Sequence, residues 1–167
     1  IREFLSYLPS NCNEAPPRAA PKPAPVDSPE GREAIAQLVP DNHRRAYDMH
    51  KLIGLLVDGG DYFEMKPDHA RSVITAFCRM DGHPVGIIAN QPRRYAGAID
   101  HMGSMKVRKF VDLCDAFHIP LLSLMDCPGF LVGPKIESQR MVSLTGRLLN
   151  SMFGASVPLV TVVLRKA

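Results

Sequence analysis

Residues 104–125 read SMKVRKFVDLCDAFHIPLLSLM, and this stretch decides the fold. Its first part sets Val107, Phe110, Val111 and Cys114 at three- and four-residue spacing, which predicts a helix over 104–117 with Ser104 placed to cap it. His118, Ile119 and Pro120 close that helix, and residues 121–125 (LLSLM) follow as a short apolar run. Such a run is the pattern of a strand covered on both faces of a sheet. The same order then repeats. Residues 136–153 predict one long helix with Met141, Leu144, Leu148 and Met152 in register and Gly154 as its stop, and residues 158–164 (PLVTVVL) predict a second buried strand. Helix, strand, helix, strand with short connections argues for a parallel βαβ unit with a right-handed crossover, so the fold class is α/β.

Working outward, residues 72–80 (SVITAFCRM) and 84–89 (PVGIIA) predict two strands joined at Asp81-Gly82, a hairpin signal. Residues 62–65 predict a brief strand. Residues 47–57 (YDMHKLIGLLV) predict a helix with Met49, Leu52, Ile53 and Leu56 on one face, ended by Asp58-Gly59-Gly60-Asp61. A short helix over 31–38 stops before Pro40. Ahead of it, Pro16, Pro17, Pro21, Pro23, Pro25 and Pro29 leave too much proline for a helix and too little apolar surface for a core. The organisation expected is therefore a tail of something upstream over 1–10, an extended proline-rich linker over 11–30 and an incomplete domain over 31–167. Both ends look cut. The chain does not begin with Met, and it stops just after a strand, where the turn that usually carries a ligand in an open α/β sheet would follow.

The 167 residues, 46% apolar, suffice for one core. A net charge of +3, carried by scattered Lys and Arg, gives no nucleic-acid footprint. Cys12, Cys78, Cys114 and Cys127 show no metal-type spacing, and no secretory leader precedes them. That fits a reducing compartment, the cytoplasm or the mitochondrial matrix. No apolar run approaches the ~20 residues of a membrane helix.

Side-chain catalysis finds little support. No Gly-x-Ser-x-Gly elbow and no glycine-rich phosphate loop occurs. His43 and His50 are too isolated for a zinc site, and no metal is expected. His43, His69, His83 and His101 read as surface residues, and His118 as a helix C-terminal residue favoured by the dipole. Asp126 ends a strand and is expected to bond backbone N–H groups of the next turn. What remains are backbone-rich loops at strand ends, Asp126-Cys127-Pro128-Gly129-Phe130-Leu131 and Ala89-Asn90-Gln91-Pro92. Pro128 fixes φ and Gly129 permits positive φ, so the first loop either aims main-chain N–H groups at a developing oxyanion or simply reverses the chain.

At these residues the sequence resembles the carboxyltransferase (β) subunits of biotin-dependent acyl-CoA carboxylases, such as propionyl-CoA carboxylase β chains, and the related decarboxylase α chains. The resemblance runs in order through residues 5–11 (LSYLPSN), Tyr47-Asp48-Met49, Asp58-Gly59, Phe63-Glu64, residues 84–92 (PVGIIANQP), 110–117 (FVDLCDAF), 119–122 (IPLL), 126–130 (DCPGF) and 160–167 (VTVVLRKA). Gly133-Pro134 and the helix that follows resemble a divergent branch of that family.

The resemblance implies a crotonase-like spiral of ββα units, of which this chain matches the C-terminal half. It implies transferase or ligase chemistry in a hexamer that works with a biotin carboxyl carrier protein and a biotin carboxylase, with acyl-CoA as substrate. Carboxybiotin then supplies both the CO2 and the base, and backbone oxyanion holes hold the enolate and the ureido oxygen. The absence of catalytic side chains follows from that scheme. The site residues it implies are Asn90, Gln91, Pro92, Cys127, Pro128, Gly129 and Phe130 as the biotin pocket, with the backbone of Gly129 and Phe130 as oxyanion donors. It further implies a glycine-rich oxyanion turn just beyond Ala167, so that the isolated chain is expected to be inactive. Two alternatives stay open, a non-catalytic assembly module and the α chain of a biotin-dependent decarboxylase.

Overall fold

In the computed structural model, which describes residues 1–166 and at Lys135 the backbone alone, the sheet follows chain order. β1 (Tyr62–Glu64), β2 (Val73–Met80) and β3 (His83–Asn90) are antiparallel neighbours. β4 (Leu121–Met125) and β5 (Leu159–Val163) continue the sheet parallel to β3. The helices are α1 (Arg2–Leu5), α2 (Pro29–Leu38), α3 (Met49–Leu56), α4 (His101–Ala116), α5 (Pro134–Glu137) and α6 (Met141–Gly154). β2, β3 and α4 make one ββα unit. Its hairpin turns on Asp81 (φ 51°) and Gly82 (φ 76°), the paired left-handed residues whose twist matches that of the strands they join.

β2, β3 and β4 are covered on both sides, which is why these central strands carry apolar residues almost without alternation. On one face Val107, Phe110, Val111 and Cys114 of α4 and Leu148 of α6 pack with Val73, Phe77, Ile88 and Leu121. On the other, Met49, Leu52 and Ile53 of α3 pack with Ile74, Ala76, Ile87, Ala89 and Leu124. No helix among the described residues is long and apolar enough to cross a membrane.

Several sequence expectations are corrected. α4 starts three residues earlier than expected, because Asp100 caps it by accepting from Gly103 N–H at 2.7 Å. Ser104 lies within the first turn, its hydroxyl donating to Asp100 O at 3.2 Å. The single helix expected over 136–153 is two, broken at Arg140, whose φ of 59° is left-handed. Apolar spacing does not register one such residue. β5 was expected to be buried, yet Val160, Val162 and Val163 are 58%, 41% and 53% exposed. Among the described residues it is an edge strand of the sheet, and little of it is covered.

The proline-rich stretch, expected to be extended over 11–30, is so over 15–24 alone. Pro25–Asp27 form a 3-10 turn and Pro29 opens α2, proline being suited to a helix's first position. The stretch is also docked. Ala19 N–H donates to Gly82 O at 3.0 Å, Gly59 N–H to Pro23 O at 3.2 Å, and Arg79 to Pro17 O at 2.8 Å. Asp58 anchors the hairpin beside it, accepting from the N–H groups of Asp81 (2.9 Å) and Gly82 (2.8 Å). Residues 1–10 join the same core. Tyr7 is buried and stacks on Phe77 at 5.6 Å between centroids, and Phe4 meets the same ring at 5.8 Å.

Candidate functional site

The parallel run of β3, β4 and β5 brings three carboxyl ends side by side, where open α/β sheets hold their ligands. Asn90 ends β3, Asp126 and Cys127 follow β4, and Arg165 and Lys166 follow β5. Asn90 is buried and stitches two of the loops together. Its Nδ2 donates to Gly97 O at 3.0 Å, and its Oδ1 accepts from Asp126 N–H at 3.4 Å. Beyond the last β4–β5 pair, Cys127 N–H donates to Lys166 O at 3.1 Å.

Asp126 is fully buried and does not cap the following turn as expected. Its Oδ2 accepts from Arg165 Nε at 2.9 Å and Nη2 at 2.7 Å, while Lys166 Nζ lies 3.6 Å from Oδ1. Side-chain cations brought from 39 and 40 residues away meet the carboxylate in place of local N–H groups. Arg165 also donates through Nη1 to the carbonyls of Pro40 (3.3 Å), Asn42 (3.3 Å) and Arg45 (2.9 Å), and it lies 4.7 Å from the Tyr47 ring centroid. Burial, then the nearby Asp126 charge, push the Tyr47 phenol well above its usual range.

The turn after β4 is held at both ends. Ile99 N–H donates to Gly129 O (3.1 Å) and Leu131 N–H to Ile99 O (2.9 Å), a short parallel bridge between Ile99 and Phe130. That bridge makes no use of the Phe130 N–H. Gly129 N–H instead faces Cys127 Sγ at 3.2 Å. Burial raises the Cys127 thiol above its usual value against the pull of nearby N–H groups, which disfavours the thiolate. Gly129 has φ 126°, a region L-residues avoid, and a Cβ there would meet no described atom within 4 Å. The turn therefore faces open space, with Phe130 36% exposed beside it.

A second turn supports the first. Tyr95 (φ 50°), Ala96 (φ 54°) and Gly97 (φ 91°) are three left-handed residues in succession. A Cβ on Gly97 would sit 2.2 Å from Asp126 O, so only glycine permits that approach. Lys166 Nζ donates to Ala96 O at 2.8 Å. Of the residues expected at the site, Asn90, Cys127, Pro128, Gly129 and Phe130 thus converge on one end of the sheet. Sequence reasoning missed Arg165, Lys166 and the 95–97 turn as its supports. The one available signal was the paired cations placed immediately after a predicted strand.

Gln91 and Pro92 do not join that group. Pro92 is buried, and Gln91 leads to another cluster. Gln91 Nε2 donates to Asp48 Oδ1 at 2.9 Å and lies 3.0 Å from His50 Nδ1. His50, read as isolated, in fact bridges two carboxylates: Nδ1 lies 3.0 Å from Asp48 and Nε2 2.9 Å from Glu64. Arg93 pairs with Asp48 at 3.1 Å, and the buried Lys106 ammonium lies 3.8 Å from Glu64. The Glu64 hydrogen bond, opposed by burial and reinforced by Asp48, raises His50 above its usual 6.5. A raised folded-state value means the bridge contributes its full stability below pH 6.5 and loses it as pH climbs through the folded value. A thermal midpoint followed across that range should fall in the wild type. The same curve for His50→Gln should lack this step.

A family model described as the carboxyl transferase domain matches residues 1–167. The propionyl-CoA carboxylase carboxyltransferase subunit of Haloferax mediterranei is 43% identical over 168 residues, covering 100% of this chain and 32% of that protein. The methylmalonyl-CoA decarboxylase subunit alpha of Veillonella parvula is 41% identical, covering 100% of this chain and 32% of its own length. Among solved structures, transcarboxylase 12S, described as a hexamer with hydrolyzed methylmalonyl-CoA bound, matches with a TM-score of 0.90 at 38% identity, over 97% of this chain and 31% of that one. The chain spans less than a third of each relative. Of the motif expected over 160–167, Ala167 lies outside the described residues. Matched along its whole length in sequence and nearly so in fold, this chain belongs to the carboxyl transferase domain family and has its crotonase-like α/β architecture.

Proposed function

We propose that this chain is part of a carboxyltransferase that moves a carboxyl group between biotin and the α-carbon of an acyl-CoA, with the turn over 127–130 lining the biotin pocket. One observation carries the reading. At the carboxyl ends of parallel strands, a rigidly tied turn presents Gly129 to open space and leaves the Phe130 N–H out of its own bridge. A planar ureido group fits such a place, since it needs a backbone donor and an unobstructed approach. Carboxybiotin bound there supplies the carboxyl group and the base. The chain's own part is to orient and to polarise. Phe130 N–H is the oxyanion donor, Pro128 and the Phe130 ring form the pocket wall, and Asn90 holds the turn to its neighbours. Fixed dipoles of this kind work because they need no reorganisation as charge develops.

Acyl-CoA as substrate, a biotin carboxyl carrier protein and a biotin carboxylase as partners, and a hexameric assembly all belong to this proposal. So does the inactivity of the segment by itself. Support comes from the relatives' names and from the hexamer of transcarboxylase 12S. Decarboxylation is the second reading, favoured by the 41% identity to a methylmalonyl-CoA decarboxylase alpha subunit. The test is made on the full-length protein with its carrier and carboxylase partner, following carboxylation of propionyl-CoA and loss of CO2 from methylmalonyl-CoA. If neither reaction occurs, an assembly role is the better description.

The same assay tests the site. A Cβ at Gly129 would meet no described atom within 4 Å, so Gly129→Val acts through the backbone: its φ of 126° is hostile to valine and the turn must shift, with a thermal midpoint taken to check that the variant is folded. Turnover should drop by about 10²–10³-fold, the usual loss when an oxyanion donor is displaced. A folded variant with wild-type turnover removes the site assignment.

A further inference from the structure

Asp126 stands where Asn90, Arg165, Lys166 and Gly97 meet just ahead of the candidate turn, and its surroundings are unusual for a purely structural carboxylate. It is 0% exposed, and among the described residues its Oδ1 makes no hydrogen bond, with Lys166 Nζ 3.6 Å away and the Tyr47 phenol beside the carboxylate. Oδ2 takes both donors from Arg165. The Asp126 N–H rests on Asn90, and the Asp126 carbonyl fills the space a side chain on Gly97 would need. Its main-chain N–H ties the end of β4 to β3 and its carboxylate ties it to β5, and through Lys166 it reaches the left-handed turn at Ala96. The next residue begins the turn over 127–130.

The geometry points to Asp126 as a positioning residue for carboxyl transfer: held between Arg165 and Lys166, it sets the angle at which the following turn presents the Phe130 N–H. This rests on the reading of that turn as part of the biotin pocket. A buried charge with one oxygen shared by two guanidinium donors and the other facing an ammonium has few alternative placements. Displacing it moves Arg165 and Lys166 directly and, through the Asp126 main chain, the bond to Asn90 and the turn that follows. Asp126 touches no reacting atom in this scheme. Its effect passes through the backbone, so it falls on turnover and not on acyl-CoA affinity.

The experiment uses the full-length protein in its complex, with propionyl-CoA as the varied substrate and a thermal midpoint for each variant. Asp126→Asn preserves shape and removes the charge. The expected result is a cooperative melt, kcat lowered about 100-fold, the cost of a misplacement of roughly 1 Å, and KM changed by less than about two-fold. Lys166→Gln is partly exposed and keeps the test alive should Asp126→Asn fail to fold. It should lower kcat about five-fold while the melt stays cooperative and the midpoint falls by no more than about 5 °C. A purely structural role would lower the midpoint and leave the kcat of the folded fraction alone, and that outcome overturns the inference. So does a loss confined to KM. Gly129→Val separates the two levels. If it loses turnover while a folded Asp126→Asn does not, Asp126 has no positioning role but the site stands. If both keep wild-type kcat, the site reading itself fails.

Discussion

Arg165→Ala is expected to lower the unfolding free energy by about 3–5 kcal/mol, the cost of leaving a buried carboxylate without its partner. The side chains of Arg165 and Asp126 are 5% and 0% exposed, so water cannot replace the lost cation. The substitution also strips donors from the carbonyls of Pro40, Asn42 and Arg45 and removes the cation above Tyr47. Those carbonyls are closer to solvent and recover part of their bonding, so the charge dominates the sum. Arg165→Lys restores the charge without the fork that reaches Asp126 and three carbonyls at once, and it should recover part of the loss. Urea unfolding of the three proteins checks the order. A loss below about 1 kcal/mol for Arg165→Ala would overturn the prediction, since it would mean that the buried carboxylate is compensated without Arg165.

Phe77→Ala should cost a similar 3–5 kcal/mol, through a different mechanism. Phe77 is fully buried in β2, and its ring meets Phe110 of α4 at 5.0 Å, Tyr7 at 5.6 Å and Phe4 at 5.8 Å between centroids. Its removal opens a cavity where three segments converge, and aromatic pairs add roughly 0.5–1.5 kcal/mol each beyond burial. Two of the lost partners lie in residues 1–10, whose hold on the core is mainly this cluster. The variant should therefore melt roughly 10 °C lower and be cut by protease ahead of residue 30 more readily than the wild type. Equal rates of cleavage would show that the docked 17–23 segment, and not the aromatic cluster, retains the N-terminal residues.

The two predictions divide along a line that runs through the whole protein. Phe77 is legible in sequence as one member of an apolar strand, and its burial follows from the run SVITAFCRM. Arg165 is not. Its sequence context is the end of a valine-rich strand, and its carboxylate partner lies 39 residues back. The same holds at the second cluster, where Asp48-x-His50 reads as a helix start while Glu64 and Gln91 arrive from β1 and the end of β3.

What the sequence by itself determined was the local alphabet and the family. The helix faces over 47–57 and 104–117, the hairpin at Asp81-Gly82, the strand at 121–125 and the motif 126–130 all follow from short-range spacing and from dihedral limits on proline and glycine. These act within a few residues, so one chain suffices to read them. Only the tertiary structure decided that residues 1–28 dock on the core, that a left-handed Arg140 splits one helix into two, that β5 lies exposed, and that Asp126 is held by Arg165 and Lys166. Each depends on contacts between residues distant in sequence, whose energy appears only when folding removes water from between them. A buried charge pair leaves no periodic trace in the chain, and in this protein such a pair sets the support of the turn on which the proposed chemistry rests.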